Sequence, residues 1–124
     1  MEIVYVIGRI LFVALFLSSG LTHFTKLKDM SAYAKSMGVP APGFMTALSG
    51  LMILLGGLMV LFDFYLFYGA LLLVIFLIPT AIIMHAFWKV SDPMMKQVQM
   101  SQFMKNIALA GAALMMLYFT YGTH

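Results

Sequence analysis

Long uncharged runs alternate with short polar segments along this chain. Apart from Arg9 in the first run, they hold no charged residue and cover 3–22, 44–62, 64–88 and 106–124. A helix needs roughly 20 apolar residues to cross a hydrocarbon core of about 30 Å, so each run is long enough to span a bilayer. The pattern predicts four membrane spans, at about 3–24, 44–62, 64–88 and 103–122.

The fold class follows from the behaviour of the backbone in lipid. Amide groups must be hydrogen-bonded inside hydrocarbon, so a span is either a helix or a strand of a closed barrel, and four long segments do not make a barrel. We therefore predict an all-α fold, a four-helix transmembrane bundle that forms a single domain over 1–124. The composition agrees, with 64% hydrophobic and 9% charged residues and a mean hydropathy of +1.04.

The loop between the first two spans has a helical pattern of its own. Asp29 is placed as a cap and Gly38 as a stop. Between them, apolar residues recur at helical spacing, namely Met30, Tyr33, Ala34 and Met37. We expect a short interfacial helix that lies on the membrane surface.

The loop before the fourth span predicts where that helix begins. Asp92 followed by Pro93 is a capping residue followed by a first-turn proline. The fourth helix should therefore start near Pro93, and its first turns should protrude on the side where the lysines lie.

Charge is distributed unevenly between the two sides. All six lysines lie in the two long loops or at the start of the fourth span: Lys26, Lys28, Lys35, Lys89, Lys96 and Lys105. Five tyrosines lie at the opposite end, where phenol rings suit the interface: Tyr5, Tyr65, Tyr68, Tyr118 and Tyr121. Short basic loops stay in the cytoplasm, so we expect an inner-membrane protein with both termini outside. The net charge of +3 indicates contact with anionic lipid and no nucleic-acid partner.

Several kinds of chemistry are excluded or left without support. Cysteine is absent, which rules out disulfides, iron–sulfur clusters and thiolate metal sites, so electron transfer would need a bound cofactor or a partner. The thirteen methionines form no repeated Met-x-x-Met array that would indicate copper binding. The sequence also contains no phosphate loop, nucleotide fingerprint or Ser/His/Asp set.

Ionisable residues at membrane depth are costly and are candidates for function. Arg9 and Asp63 should lie near the lysine-free side, where an ion pair between them would be structural. Two alternatives are a pair between Arg9 and Glu2, or Arg9 extending to the lipid headgroups.

A second polar layer should lie near the lysine-rich side, where His23, His85 and Asn106 fall at similar depth. These side chains would bind the headgroup of a quinone or another small amphipathic ligand, ligate a haem or metal, or hydrogen-bond to one another. Haem is disfavoured because no second axial pair or attachment motif supports it. The sequence establishes no cofactor; a quinone remains the candidate.

Short motifs in order along the chain resemble those of the DoxX family of small four-span membrane proteins. They are Gly8-Arg9-Ile10-Leu11-Phe12, Ser19-Gly20-Leu21-Thr22-His23-Phe24, Tyr33-Ala34 to Gly38-Val39-Pro40, and His85-Ala86-Phe87-Trp88 through Asp92-Pro93 to Lys105-Asn106. The resemblance implies a four-helix bundle and an association with redox biology, since the family takes its name from a subunit of a thiosulfate:quinone oxidoreductase.

The resemblance also implies which polar positions matter. Family-typical positions map onto Arg9, His23, His85 and Asn106, whereas Met52 stands where many relatives carry a glutamate. We expect a DoxX-type membrane subunit that binds a quinone-like or other small lipophilic partner and is at most an accessory subunit of a membrane oxidoreductase. The alternative is a non-catalytic assembly subunit of a larger membrane complex. Other membrane or redox subunits, or further copies of the chain, are the expected partners.

Overall fold

The computed structural model describes residues 2–120, and this part of the chain is helical without strands. Its elements are α1 (Glu2–Thr25), α2 (Leu27–Ser36), α3 (Pro42–Leu61), α4 (Leu66–Met84), a 3₁₀ turn (Phe87–Lys89) and α5 (Pro93–Thr120). The all-α prediction is confirmed. Tyr121 and the end of the fourth predicted span, at residue 122, lie outside the described residues.

Four of the helices are long and apolar enough to cross a membrane, namely α1, α3, α4 and α5. Helix α1 packs against α3, α3 against α4, and α4 against α5, while the short α2 lies against α3 and α1. The core runs between the long helices and contains Val13, Phe16, Ile53, Val60, Leu73, Leu77 and Ala110. The predicted four-helix bundle is confirmed.

Glycines allow these helices to approach closely. A Cβ atom built on Gly56 in α3 would lie 2.9 Å from the carbonyl oxygen of Gly69 in α4. On the other face of α3, a Cβ atom on Gly50 would lie 2.6 Å from Cβ of His23 in α1. Small residues at helix contacts are how spans pack in lipid, where no hydrophobic force drives them together.

The turn between α3 and α4 uses left-handed backbone. Asp63 has φ 54° and Tyr65 has φ 49°, so α4 begins at Leu66, two residues after the predicted start of the span. At the other end, the α-helix stops at Met84, although the uncharged run continues to Trp88. The rings of Phe87 and Trp88 pack on Phe103 of α5, with centroids 5.5 and 5.6 Å away. These two residues are therefore apolar because they pack on α5, and not because they extend the α-helix.

The structure contradicts one of the helix boundaries predicted in the two loops and confirms the others. The prediction of Asp29 as a cap is wrong: α2 begins at Leu27. The backbone N–H of Met30 donates to the Lys26 carbonyl, so α2 follows α1 almost directly and needs no side-chain cap. The predicted stop is confirmed, because Gly38 has φ 83° just beyond the end of α2. The predicted start of α5 is also confirmed, with Asp92 Oδ2 accepting from the Met95 N–H at 3.0 Å.

Candidate ligand-binding cavity

A cavity of about 670 Å³ lies between the long helices at their lysine-rich end. Its walls include His23 from α1, His85 just after α4, and Asn106 from α5, while α2 contributes Met30 and Ala34. The structure therefore brings the three predicted inner-layer residues to one cavity. Its volume falls in the range of about 300–1,000 Å³ that is usual for small-molecule sites.

His23 is buried on the inward stripe of α1, at 6% exposure, together with Val13, Phe16 and Gly20. Its Nδ1 lies 2.7 Å from the carbonyl oxygen of Ser19. Because a carbonyl can only accept, Nδ1 carries a proton, and in the neutral imidazole Nε2 is then the acceptor. The described residues give Nε2 no hydrogen-bond partner, so His23 offers the cavity an acceptor of fixed tautomer.

Asn106 is the buried polar residue of α5, at 5% exposure. Its carboxamide makes no hydrogen bond within the part of the chain described. Unlike Arg9 Nε and Ser31 Oγ, which are fully buried without a partner, its polar atoms remain accessible. The carboxamide carries two N–H donors and one acceptor. A buried amide of this kind needs a partner from a ligand or from water, because an unsatisfied polar group costs free energy.

His85 also lines the cavity and is partly exposed. Its Nδ1 lies 2.9 Å from Oε1 of Gln99 in α5. Since the amide oxygen only accepts, Nδ1–H of His85 is the donor. Among the described residues the two histidines bond to Ser19 and Gln99 and not to each other, so the hypothesis that they satisfy one another is wrong.

Tyr33 also lines the cavity, although its position in the sequence indicated only an aromatic ring at the membrane interface. Its hydroxyl donates to the Met84 carbonyl at 3.0 Å and so ties α2 to the end of α4. Burial raises the pKa of Tyr33 above its ordinary value, which keeps the phenol protonated as a donor. Thr46, 6% exposed, is a second lining residue that sequence reasoning missed, because a lone threonine in an apolar span gives no signal.

The model of the DoxX family matches residues 4–86, which is more than half of the chain. This chain belongs to the DoxX family. Together with the four spanning helices, membership makes it an integral membrane protein. Comparisons with curated proteins and with solved structures give no match.

The family match covers the parts of the cavity wall that α1, α2, α3 and α4 contribute in this DoxX protein. It includes His23 and ends just after His85, whereas Asn106 lies beyond it on α5. Met52, at the position where the resemblance leads one to expect a glutamate, is also a lining residue. The wall there is apolar and supplies no proton-exchanging group.

Metal ligation finds no support in the donor set of this DoxX protein. Among the described residues, no three His, Cys, Asp or Glu side chains lie close enough together to hold a metal ion. The cavity pairs a few hydrogen-bonding groups with extensive apolar walls, which suits an organic amphiphile better than a cation.

The outer polar layer is separate from the cavity. Arg9 Nη1 lies 3.7 Å from Asp63 Oδ2, and the guanidinium carbon lies 4.9 Å from the centre of the Tyr5 ring. This arrangement agrees with the expected Arg9–Asp63 pair. It joins the beginning of α1 to the α3–α4 turn, and neither residue lines the cavity.

Proposed function

We propose that this DoxX-family protein is a redox-associated subunit of the inner membrane that binds a quinone-like or other small lipophilic ligand in the cavity. The observation that carries the proposal is the buried Asn106 carboxamide, which has no hydrogen-bond partner among the described residues and lines a largely apolar cavity. A ligand head with carbonyl or hydroxyl groups supplies the missing partner.

The two deep polar groups suit both redox forms of a quinone. Carbonyl oxygens of the oxidised form accept hydrogen bonds from the Asn106 amide donors. Hydroxyl groups of the reduced form donate to Nε2 of a neutral His23, whose Nδ1–H is taken up by the Ser19 carbonyl. The sequence contains no cysteine that could carry electrons itself. In this proposal a partner subunit supplies the electrons, and the chain acts at most as an accessory component.

The site lies on the cytoplasmic side in this proposal. The cavity adjoins the end of the bundle that carries the six lysines, and Lys26 and Lys105 are among its lining residues. Short basic loops are retained in the cytoplasm. Both termini and the Asp63 turn then face outward.

The alternative function is a non-catalytic assembly subunit. One observation favours it: only 17% of the residues in the most apolar windows of α1 and α5 are buried, against 33% for α3 and α4. The outer faces of α1 and α5 are then covered by another membrane protein or a second copy of the chain. In that case, Asn106 and His23 serve the packing of the bundle alone.

Binding of decylubiquinone to the purified protein in mild detergent tests the proposal, with isothermal titration calorimetry as the readout. We expect saturable binding that weakens roughly tenfold in Asn106→Leu and in His23→Ala, since each change removes a hydrogen bond to the ligand. Ile107→Leu, on the neighbouring exposed position, is the control and should leave the affinity unchanged. If the folded wild-type protein shows no saturable binding and co-purifies with a stoichiometric protein partner, ligand binding is contradicted and the assembly function is supported.

A further inference from the structure

The cavity has a buried polar end and an exposed apolar end. Deep lining residues are almost inaccessible, with Phe16 at 2%, Leu77 at 1% and Asn106 at 5% exposure. Other lining residues are open to the outside, with Met45 at 40%, Ile75 at 51% and Ile83 at 47% exposure. The cavity is therefore continuous with the outer surface of the bundle.

Several exposed apolar lining residues belong to two neighbouring helices, α3 and α4, whereas Leu15, also 40% exposed, lies on α1. Ile75, Pro79 and Ile83 are spaced four apart and so share one face of α4. Met45 and Met52, two turns apart, lie on α3, which packs beside α4. The wall formed by these five residues, which we call the α3–α4 opening, contains no charged side chain. The charged lining residues, namely Lys26, Asp29 and Lys105, belong to other parts of the cavity.

Two features confine the α3–α4 opening to membrane depth. Toward the lysine-free side, α3 and α4 are in contact at Gly56 and Gly69, so no gap continues there. Toward the lysine-rich side, α2 covers the cavity with Met30 and Ala34 and is held by the bond from Tyr33 to the Met84 carbonyl. An opening bounded in this way faces acyl chains.

We propose that the ligand is a membrane-resident lipid with a compact polar head and one long apolar tail, and that the tail leaves the cavity through the α3–α4 opening. The proposal rests on the proposed function, since it adds the tail and its route to the same site. The head lies between His23 and Asn106, and the tail passes between Met45 and Ile83 into the bilayer. A polyprenyl quinone and a single-chain acyl lipid share this chemistry.

Neighbouring residues of α4 provide a matched test. Ile83 lines the opening, whereas Ile82 has similar exposure, 52%, and does not line it. On α3, Met45 lines the opening and the exposed Phe44 does not. The test variants are Ile83→Trp and Met45→Trp, with Ile82→Trp and Phe44→Trp as controls. Affinities are measured for two pairs of probes, and within each pair the head is the same and only one probe has a tail. The quinone pair is decylubiquinone and tail-less ubiquinone-0, and the glyceride pair is monodecanoylglycerol and glycerol.

We expect Ile83→Trp and Met45→Trp to weaken the binding of a tailed probe by roughly tenfold, because a bulky ring overfills the route of the tail. Binding of the matching tail-less probe should remain within about twofold, which also shows that the variants fold, and both controls should bind like the wild type. A response in the quinone pair identifies a quinone head, and a response in the glyceride pair identifies an acyl lipid.

Two results overturn the inference, and they differ in what they imply for the proposed function. If the tailed probe binds the wild type and all four tryptophan variants equally well, the tail takes another route, while head binding at His23 and Asn106 stands. If neither tailed probe binds the wild type, the proposed function fails together with the inference.

Discussion

Arg9 and Asp63 face each other across the lysine-free end of the bundle, with Nη1 and Oδ2 3.7 Å apart. The guanidinium is largely buried, at 13% exposure, whereas the carboxylate is 63% exposed. The pair therefore joins a costly intramembrane charge to a partner that remains in contact with solvent or headgroups.

We expect Asp63→Asn to lower the free energy of unfolding by about 0.5–1 kcal/mol, because a partly exposed ion pair contributes little. Asparagine tolerates the left-handed backbone at this position, φ 54°, so the change isolates the charge. Denaturant unfolding in detergent micelles measures the effect. Asp29→Asn is the control, since Asp29 makes no ion pair within the described residues; equal stability of both variants would show that the Arg9 pair contributes nothing.

Gly50→Ala should separate α1 from α3 beside the cavity. The added methyl group would lie 2.6 Å from Cβ of His23 and 3.1 Å from a ring carbon of Phe24, and Cβ of His23 cannot move without its helix. We expect a loss of about 1–3 kcal/mol of stability and weaker ligand binding. Gly111→Ala has no atom within 4 Å of the new methyl and should be neutral or slightly stabilising. Similar unfolding curves for the two variants would refute the close contact at Gly50.

Tyr33→Phe should loosen α2 over the cavity. The change removes the hydroxyl that donates to the Met84 carbonyl and leaves the ring in place. We expect faster amide hydrogen exchange in α2 (Leu27–Ser36), by roughly three- to tenfold, since one hydrogen bond is worth about 1 kcal/mol. Tyr118→Phe, at a 78% exposed position, serves as the comparison. Unchanged exchange in α2 would mean that its packing on α3 and α1 holds it without the hydrogen bond.

Asp92→Ala should fray the first turn of α5. Asp92 Oδ2 accepts from the N–H of Met95, and alanine cannot replace that bond. We expect about 1 kcal/mol of destabilisation and faster exchange in the first turn of α5. Asp92→Asn keeps an accepting oxygen and should behave like the wild type. Loss of stability in both variants would indicate a role for the charge in place of the cap.

The absence of cysteine permits a direct measurement of orientation. A single cysteine introduced as Phe62→Cys, at a 72% exposed position just after α3, should react with a membrane-impermeant maleimide applied to intact right-side-out vesicles. A cysteine introduced as Ser91→Cys, in the exposed segment before α5, should react only after the vesicles are opened. The opposite pattern would invert the assignment of the lysine-rich side to the cytoplasm.

The sequence predicts those parts of this fold that depend on local chemistry. Span number follows from hydropathy, and the start of α5 follows from Asp92 and Pro93, because a cap needs only neighbouring residues. Depth along alternating helices also places His23, His85 and Asn106 at one level, and all three line one cavity.

The shape of the cavity is beyond sequence reasoning because it depends on contacts between distant segments. Gly56 meets Gly69 at one end of α3 and α4, and which glycines pair is decided by the whole bundle. The bond from Tyr33 to Met84 likewise joins residues 51 positions apart. Apolar periodicity cannot separate Ile82 from Ile83, although only Ile83 lines the opening.

The positions of the Gly56–Gly69 contact should tolerate random mutation less well than the outer surfaces of the helices. At that crossing, main chain meets main chain, so any larger residue at either position pushes the helices apart, whereas leucine, isoleucine and methionine are interchangeable on the outer surfaces. Natural variants of this protein should therefore keep glycine at these two positions, whereas the residue types at most lipid-facing positions should differ widely.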